Sequence, residues 1–124
     1  MKNLLVFLTT IISFSSLSQT VSKSKYGDNS SIGKYANIRG IKMYYEIYGT
    51  GEPILLIHGN SGSITDMTNQ IEYFSKKYKV IVADSRDHGK TLDTLSMTDT
   101  LSYEMMADDY NSLLDLVLIC NRYG

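Results

Sequence analysis

Hydrophobic and polar residues alternate between residues 41 and 48, which is typical of a strand with two different faces. A shorter run at 34–38 precedes it, and Arg39-Gly40 offers a tight turn between the two. The sequence therefore predicts an antiparallel hairpin. One face of its second strand presents Ile41, Met43, Tyr45 and Ile47, and the other presents Lys42, Tyr44, Glu46 and Tyr48.

Two short apolar runs, 54–57 and 80–83, show no alternation, which is typical of central strands covered on both faces. Between them, Ser63 is a candidate N-cap, with Asp66 three residues later. A helix is predicted from residue 64 to about Lys77, because one apolar stripe joins Ile64, Met67, Ile71 and Phe74. This strand, helix and strand predict a βαβ unit with a parallel pair.

A second apolar stripe predicts a helix over residues 100–115, after a polar loop at 89–99. Asp108 and Asp109 fall away from the stripe, and residues 117–119 are a candidate start of another strand. The predicted fold class is α/β, with an antiparallel hairpin followed by a βαβ unit. The stripe consists of Tyr103, Met106, Ala107, Tyr110, Leu113 and Leu114.

The first 18 residues have the order of a secretory signal peptide. A basic start is followed by an 11-residue apolar run over 4–14, and Ser16 and Ser18 stand at the −3 and −1 positions. We expect cleavage between Ser18 and Gln19 and export to the periplasm or the medium; a short core helix is the alternative. The run is too short to span a membrane, and no cysteine lies near the cleavage point, so no stable membrane anchor is predicted. Residues 19–33 are polar and predict a flexible lead-in.

Composition suggests no special partner for the mature chain. Removing residues 1–18 takes away one of 12 basic residues and none of 13 acidic ones, which leaves 11 against 13 and a net charge of −2. This balance argues against a nucleic-acid partner. The single Cys120 cannot form an internal disulfide. About 100 residues suffice for one small domain with a modest core.

The loops after the two apolar runs carry the candidate chemistry. The first reads His-Gly-Asn-Ser-Gly (58–62), and the second reads Asp-Ser-Arg-Asp-His-Gly-Lys-Thr (84–91). A strand ending in HGxxG, followed by a strand ending in D-x-R-x-x-G, resembles the N-terminal third of the α/β-hydrolase fold family. Asp87 and Thr91 stand where that family usually has glycine and serine. On this resemblance, residues 34–124 form the N-terminal part of a hydrolase domain.

The resemblance implies a role for each matching residue. The backbone N–H of Asn60 would be one of two donors to the oxyanion, and the residue after the nucleophile would supply the other. His58, Gly59 and Gly62 would shape that loop, and His58 would not be the catalytic base. In the second loop the structural residues would be Asp84, Arg86 and Gly89.

The family's nucleophile lies on a G-x-S-x-G elbow, and no such motif occurs in these 124 residues. The chain ends about where the elbow would begin, so we expect an incomplete sheet, no catalytic triad residue and no esterase activity from this chain alone. No cofactor is predicted. The full-length relative would hydrolyse an ester or a similar acyl or small organic substrate. Two alternatives remain: a non-catalytic binding or regulatory module, and one complementing half of a split hydrolase. An uncovered apolar edge at 54–57 would favour self-association.

Two other interpretations of the second loop are weaker. Gly89-Lys90-Thr91 matches the end of a P-loop, but the glycine that the motif needs five residues earlier is Asp84. A negative charge there would repel phosphate, so nucleotide binding is disfavoured. His88 with Asp84 and Asp87 would make a poor metal site, and no metal is predicted.

Overall fold

A computed structural model describes residues 25–92 and 100–119. The predicted signal peptide, the start of the lead-in, most of the polar loop and Cys120 lie outside these residues. The described elements are β1 (Lys34–Ile38), β2 (Ile41–Tyr48), β3 (Pro53–Leu56), a 3₁₀ turn (Ile64–Met67), α1 (Thr68–Phe74), β4 (Lys79–Ala83) and α2 (Tyr103–Ile119). Within the described part, neither helix is long and apolar enough to cross a membrane.

The strands form one mixed sheet in the order β1-β2-β4-β3. β1 pairs with β2 antiparallel, from Ile38 opposite Ile41 to Lys34 opposite Tyr45. β2 pairs with β4 antiparallel, and β3 pairs with β4 parallel. The predicted α/β class, hairpin and βαβ unit are therefore confirmed.

β3 has the uncovered edge expected of an incomplete sheet rather than the surroundings of a central strand, although hydrophobic clusters pack against both of its faces. Ile54, Leu55 and Leu56 are only half-buried, and Ile57, just after the strand, is 55% exposed. The reason is the sheet order: among the described strands, β3 lies at an edge and pairs with β4 alone. β4 lies between two strands, and Val80, Ile81, Val82 and Ala83 are all completely buried.

Each face of β2 packs into a different hydrophobic cluster, as its alternation predicts. The face with Met43 packs with β1, β4 and the apolar side of α2, where Tyr110, Leu113 and Val117 are buried. The opposite face, with Tyr44, packs against Ile64 and Ile71 of the 3₁₀ turn and α1. The two clusters make a three-layer arrangement of helix, sheet and helix.

The first helix starts where predicted but is shorter. Asp66 accepts a hydrogen bond from the Ser63 N–H at 2.8 Å, as the cap spacing predicts. The first turn is 3₁₀, and α1 ends at Phe74 rather than at Lys77. The loop after β2 packs tightly against the turn that follows α1. A Cβ atom on Gly49 would lie only 2.3 Å from the Ser75 carbonyl oxygen. Gly49, at φ +73°, allows this contact.

The second helix begins and ends later than predicted, at Tyr103 and Ile119, so residues 117–119 are helical rather than the start of a strand. Val117 follows Leu113 by four residues, so continuing the helix buries it in the same cluster. Asp109, placed away from the stripe by the sequence pattern, is completely buried. It is buried because it has a charged partner on the second loop.

That partner is Arg86, whose guanidinium binds Asp109 through two hydrogen bonds. Arg86 Nε donates to Asp109 Oδ2 at 2.8 Å, and Nη2 donates to Oδ1 at 2.9 Å. Arg86 Nη2 also donates to the Arg39 carbonyl at 3.2 Å. The pair joins α2 to the end of β4 and to the turn between β1 and β2. Such two-pronged contacts are among the stronger charged hydrogen bonds in proteins.

Residues 25–33 differ from the flexible lead-in that their composition predicts. Tyr26 is buried and makes an edge contact with the Tyr48 ring. The Glu46 carboxylate, also completely buried, accepts hydrogen bonds from the N–H groups of Gly27 (2.7 Å) and Asn29 (3.0 Å). Four donors surround Glu46, the other two being the hydroxyls of Tyr44 and Tyr48. The pKa values of the Tyr44 and Tyr48 phenols are raised above the ordinary value. Burial is the larger cause, and hydrogen bonding to Glu46 is the second.

We predict that Asp109→Asn destabilises the fold far more than Asp108→Asn. Removing the buried charge takes the carboxylate partner away from the Arg86 guanidinium, which costs about 3–5 kcal/mol, a large part of the roughly 5–15 kcal/mol that a domain has. Asp108 lies next in the chain and pairs only with exposed Arg39 at 3.4 Å, so its loss should cost less than about 1 kcal/mol. Urea unfolding of both variants measures the difference. Equal losses would contradict the importance of the buried pair.

Candidate functional site

The loops after β3 and β4 meet at one edge of the sheet, because the carboxyl ends of parallel strands lie together. Such an edge is where α/β proteins usually bind ligands. The first half of α2 lies beside the loops, and a cavity of about 230 Å³ opens between them. Its walls include Ile57, Asn60, His88, Tyr103, Met106 and Tyr110.

His58 holds the two loops together from the first loop. Its Nε2 atom accepts the backbone N–H of Ser85 at 2.9 Å, and its Nδ1 atom lies 2.8 Å from the Gly59 carbonyl oxygen. An amide N–H can only donate and a carbonyl can only accept. The imidazole is therefore neutral with its proton on Nδ1, and both ring nitrogens are occupied.

His88 makes the corresponding contact from the second loop. Its Nε2 atom accepts the backbone N–H of Ser61 at 3.2 Å, and its Nδ1 atom lies 2.7 Å from the Arg86 carbonyl oxygen. The centres of the two imidazole rings are 5.3 Å apart. The sequence predicts no catalytic role for His88, and no local pattern marks this contact, since the partner of His88 is 27 residues away.

Asp84 binds backbone groups on both sides of the site and is almost completely buried. Its Oδ1 atom accepts the Ile64 N–H at 2.9 Å, and its Oδ2 atom accepts the Lys90 N–H at 2.7 Å. Gly89 is required beside it, because a Cβ atom there would lie 2.3 Å from Asp84 Oδ2. Asp87 has a φ of +58°, which explains why glycine is usual at that place in the motif.

The turn at 59–62 is closed by a hydrogen bond from the Gly62 N–H to the Gly59 carbonyl at 3.0 Å. Ser61, at its third position, has a φ of +60°. Its N–H also contacts the Asn60 side-chain oxygen at 3.1 Å. Asn60 lines the cavity, and no described residue accepts a hydrogen bond from its backbone N–H.

The lysine and threonine of the P-loop-like segment have other partners. The Lys90 N–H binds Asp84, and its ammonium contacts Asp28 and lies 4.7 Å from the centre of the Tyr44 ring. The Thr91 hydroxyl donates to the Asp84 carbonyl and accepts the Tyr44 N–H, both at 2.8 Å. These residues tie the loop to β2, which is a structural role. Across residues 25–92 and 100–119, no group of three His, Cys, Asp or Glu residues could hold a metal ion.

Several known proteins are similar to parts of this chain. A solved structure of the meta-cleavage product hydrolase from Pseudomonas fluorescens IP01 matches with a TM-score of 0.62 and 29% identity, over 73% of this chain and 34% of that one. The (E)-2-((N-methylformamido)methylene)succinate hydrolase of Acinetobacter baylyi is 48% identical over 48 residues, 39% of this chain and 18% of its own length. The non-heme chloroperoxidase CPO-A1 of Kitasatospora aureofaciens is 28% identical over 94 residues, 68% of this chain and 32% of its own. No family model matches the chain.

The chain is related to the α/β-hydrolase fold family. The mixed sheet of four strands with two helices matches a partial α/β-hydrolase fold. This α/β-hydrolase relative spans about a third of the length of the solved hydrolase, and less than a third of the two curated relatives.

We predict that the hydroxyl of Tyr110 makes the fold sensitive to alkaline pH. It donates to the Ala83 carbonyl at 3.0 Å and contacts Ser85 Oγ at 2.9 Å, and burial raises the pKa of this phenol to about 12. The usual value in an unfolded chain is about 10. The contribution of Tyr110 to stability is therefore constant below pH 10. Between pH 10 and 12 this contribution falls by about 1.4 kcal/mol per pH unit, because Tyr110 ionises only in the unfolded chain, and the raised pKa values of Tyr44 and Tyr48 add to the total decline.

Urea unfolding at several pH values checks this expectation. Tyr110→Phe should lose about 1 kcal/mol at neutral pH but show a shallower alkaline decline, by the equivalent of one proton. Tyr103→Phe is the control, since Tyr103 is 76% exposed. An unchanged slope in Tyr110→Phe would show that another group causes the decline.

Proposed function

We propose that this chain is part of an exported hydrolase, in which the Asn60 backbone N–H stabilises the oxyanion formed from an ester or a similar acyl or small organic substrate. The observation that carries the proposal is the placement of this N–H: it belongs to a residue lining the cavity and has no acceptor among the described residues. The hydrolases among the similar proteins support the reaction class.

The described histidines argue against a complete catalytic centre within this part of the chain. A serine nucleophile needs a neighbouring base with a free nitrogen. His58 and His88 each use both ring nitrogens for backbone groups. Ser85 is buried, and its hydroxyl is hydrogen-bonded to the Tyr110 hydroxyl. The proposal therefore takes the nucleophile, acid and base from residues beyond these 124, and it assigns no catalytic side chain here.

A chimera with a complete relative tests the role of Asn60. Residues 25–116 would replace the corresponding N-terminal third of the Pseudomonas meta-cleavage product hydrolase. The segment starts at residue 25 because Glu46 binds Gly27 and Asn29. Asn60→Pro removes the N–H, whereas Asn60→Ala keeps it. With a meta-cleavage product as substrate, we expect kcat to fall about 10²–10³-fold for Asn60→Pro and to change little for Asn60→Ala.

A folded Asn60→Pro chimera with the kcat of its parent would refute the oxyanion role. The purified chain alone should not hydrolyse p-nitrophenyl acetate above background. Turnover that disappears in Ser61→Ala would instead make Ser61 a nucleophile.

The open edge of β3 favours one alternative, a complementing half that acts with a second polypeptide. Among the described strands β3 pairs only on the β4 side, and apolar Ile57 follows it in an exposed position. An unpaired edge of this kind accepts a further strand. The nucleotide sequence beyond codon 124 distinguishes one longer protein from two complementing polypeptides. An in-frame G-x-S-x-G indicates one longer protein, and a G-x-S-x-G encoded by a separate gene indicates a split enzyme. Its absence from both favours the binding or regulatory module.

Export and edge association can be measured on the same material. We propose cleavage after Ser18 from the order of charge, apolar run and small residues in the sequence. Protein recovered from the periplasm or medium should lack about 18 residues by intact-mass analysis, and should elute as an oligomer when applied alone to a sizing column. Full-length chain retained in the cytosol would contradict export. A monomer with a sharp unfolding transition at high urea would contradict association.

A further inference from the structure

The two loops of the site are joined by a pair of histidines that act in opposite directions. His58, from the loop after β3, binds an amide in the loop after β4. His88, from the loop after β4, binds an amide in the loop after β3. We call these two contacts the histidine brace. Each imidazole also contacts a carbonyl of its own loop, which fixes the ring so that Nε2 faces the opposite loop.

The amide that His88 binds belongs to the residue with unfavourable backbone geometry. Ser61 has a φ of +60°, a region that residues other than glycine seldom adopt. Such a conformation persists when surrounding contacts hold it. The Ser61 N–H has two acceptors, Asn60 Oδ1 at 3.1 Å and His88 Nε2 at 3.2 Å. Only the second comes from outside the turn.

We propose that His88 is a positioning residue: its Nε2 atom holds Ser61 in the left-handed conformation and thereby fixes how the preceding residue, Asn60, presents its N–H to the cavity. The catalytic consequence rests on the proposed function, whereas the effect on backbone geometry does not. His58 is buried, at 6% exposure, and its hydrogen bond to the Ser85 N–H supports the opposite loop. The brace therefore couples the two loops at the site.

Two substitutions separate the hydrogen bond from the bulk of the ring. His88→Gln retains an acceptor near the position of Nε2, and His88→Leu retains apolar volume without an acceptor. In the full chain, amide hydrogen exchange followed by NMR should show Ser61 exchanging about tenfold faster in His88→Leu, while His88→Gln stays within about threefold of the parent. The same spectra should show His88 protonated on Nδ1. Equal exchange in the two variants, or a proton on Nε2, would overturn the proposal.

A double-mutant cycle tests whether the bond acts on the strained residue. Glycine adopts positive φ without cost, so Ser61→Gly removes the need for the brace. We expect His88→Leu to raise the unfolding equilibrium constant about tenfold in the parent, and no more than about threefold in the Ser61→Gly background. Equal effects in the two backgrounds would mean that His88 contributes only by packing.

The chimera gives a readout that also distinguishes this proposal from the proposed function. There, His88→Leu should lower kcat about tenfold with KM unchanged, and His88→Gln should restore most of it. A change in Ser61 exchange without any effect of Asn60→Pro on kcat would refute the oxyanion role and leave the brace intact. A large effect of Asn60→Pro with no effect of His88→Leu on either exchange or kcat would refute the brace alone.

Discussion

The site depends on the hydrogen bonds that the Asp84 carboxylate accepts. This carboxylate is almost completely buried. It accepts one hydrogen bond from the Ile64 N–H, at the start of the 3₁₀ turn, and another from the Lys90 N–H, in the second loop. Its own backbone N–H donates to the Tyr44 carbonyl of β2 at 3.0 Å. An unpaired carboxylate in this position would be strongly unfavourable, so the start of the 3₁₀ turn and the second loop must adopt the conformations that supply these donors. The sheet, the 3₁₀ turn and the second loop therefore share one anchor.

Other buried charges follow the same principle, each with its hydrogen bonds satisfied. Glu46 is surrounded by two amides and two tyrosine hydroxyls, and Arg86 by Asp109 and a backbone carbonyl. Within the described residues, no buried side-chain nitrogen or oxygen lacks a partner. These contacts add specificity as well as stability, because sliding an element would leave a buried charge unpaired.

The functional loops are built from backbone groups and neutral imidazoles rather than from reactive side chains. His58 and His88 have no nitrogen left for proton transfer, and the Lys90 ammonium is held beside Asp28. Under the proposed function, what the site offers a ligand is the amide of Asn60, which lines the same cavity as apolar residues of α2. This is the chemistry of a preorganised hydrogen-bond donor, which fits the proposed role in a larger active site.

The sequence by itself determined the features that depend on near neighbours. Periodicity predicted the hairpin, the βαβ unit and the apolar stripe of α2, and the two loop motifs identified where the site lies. Tertiary structure alone decided the rest: Asp109 is buried because Arg86 lies 23 residues earlier, and residues 26–29 are held by Glu46. The partner of His88 likewise cannot be predicted from a local sequence pattern. Periodicity records which side of an element faces the core, whereas these contacts join residues far apart in the chain, and only the packed sheet brings them together.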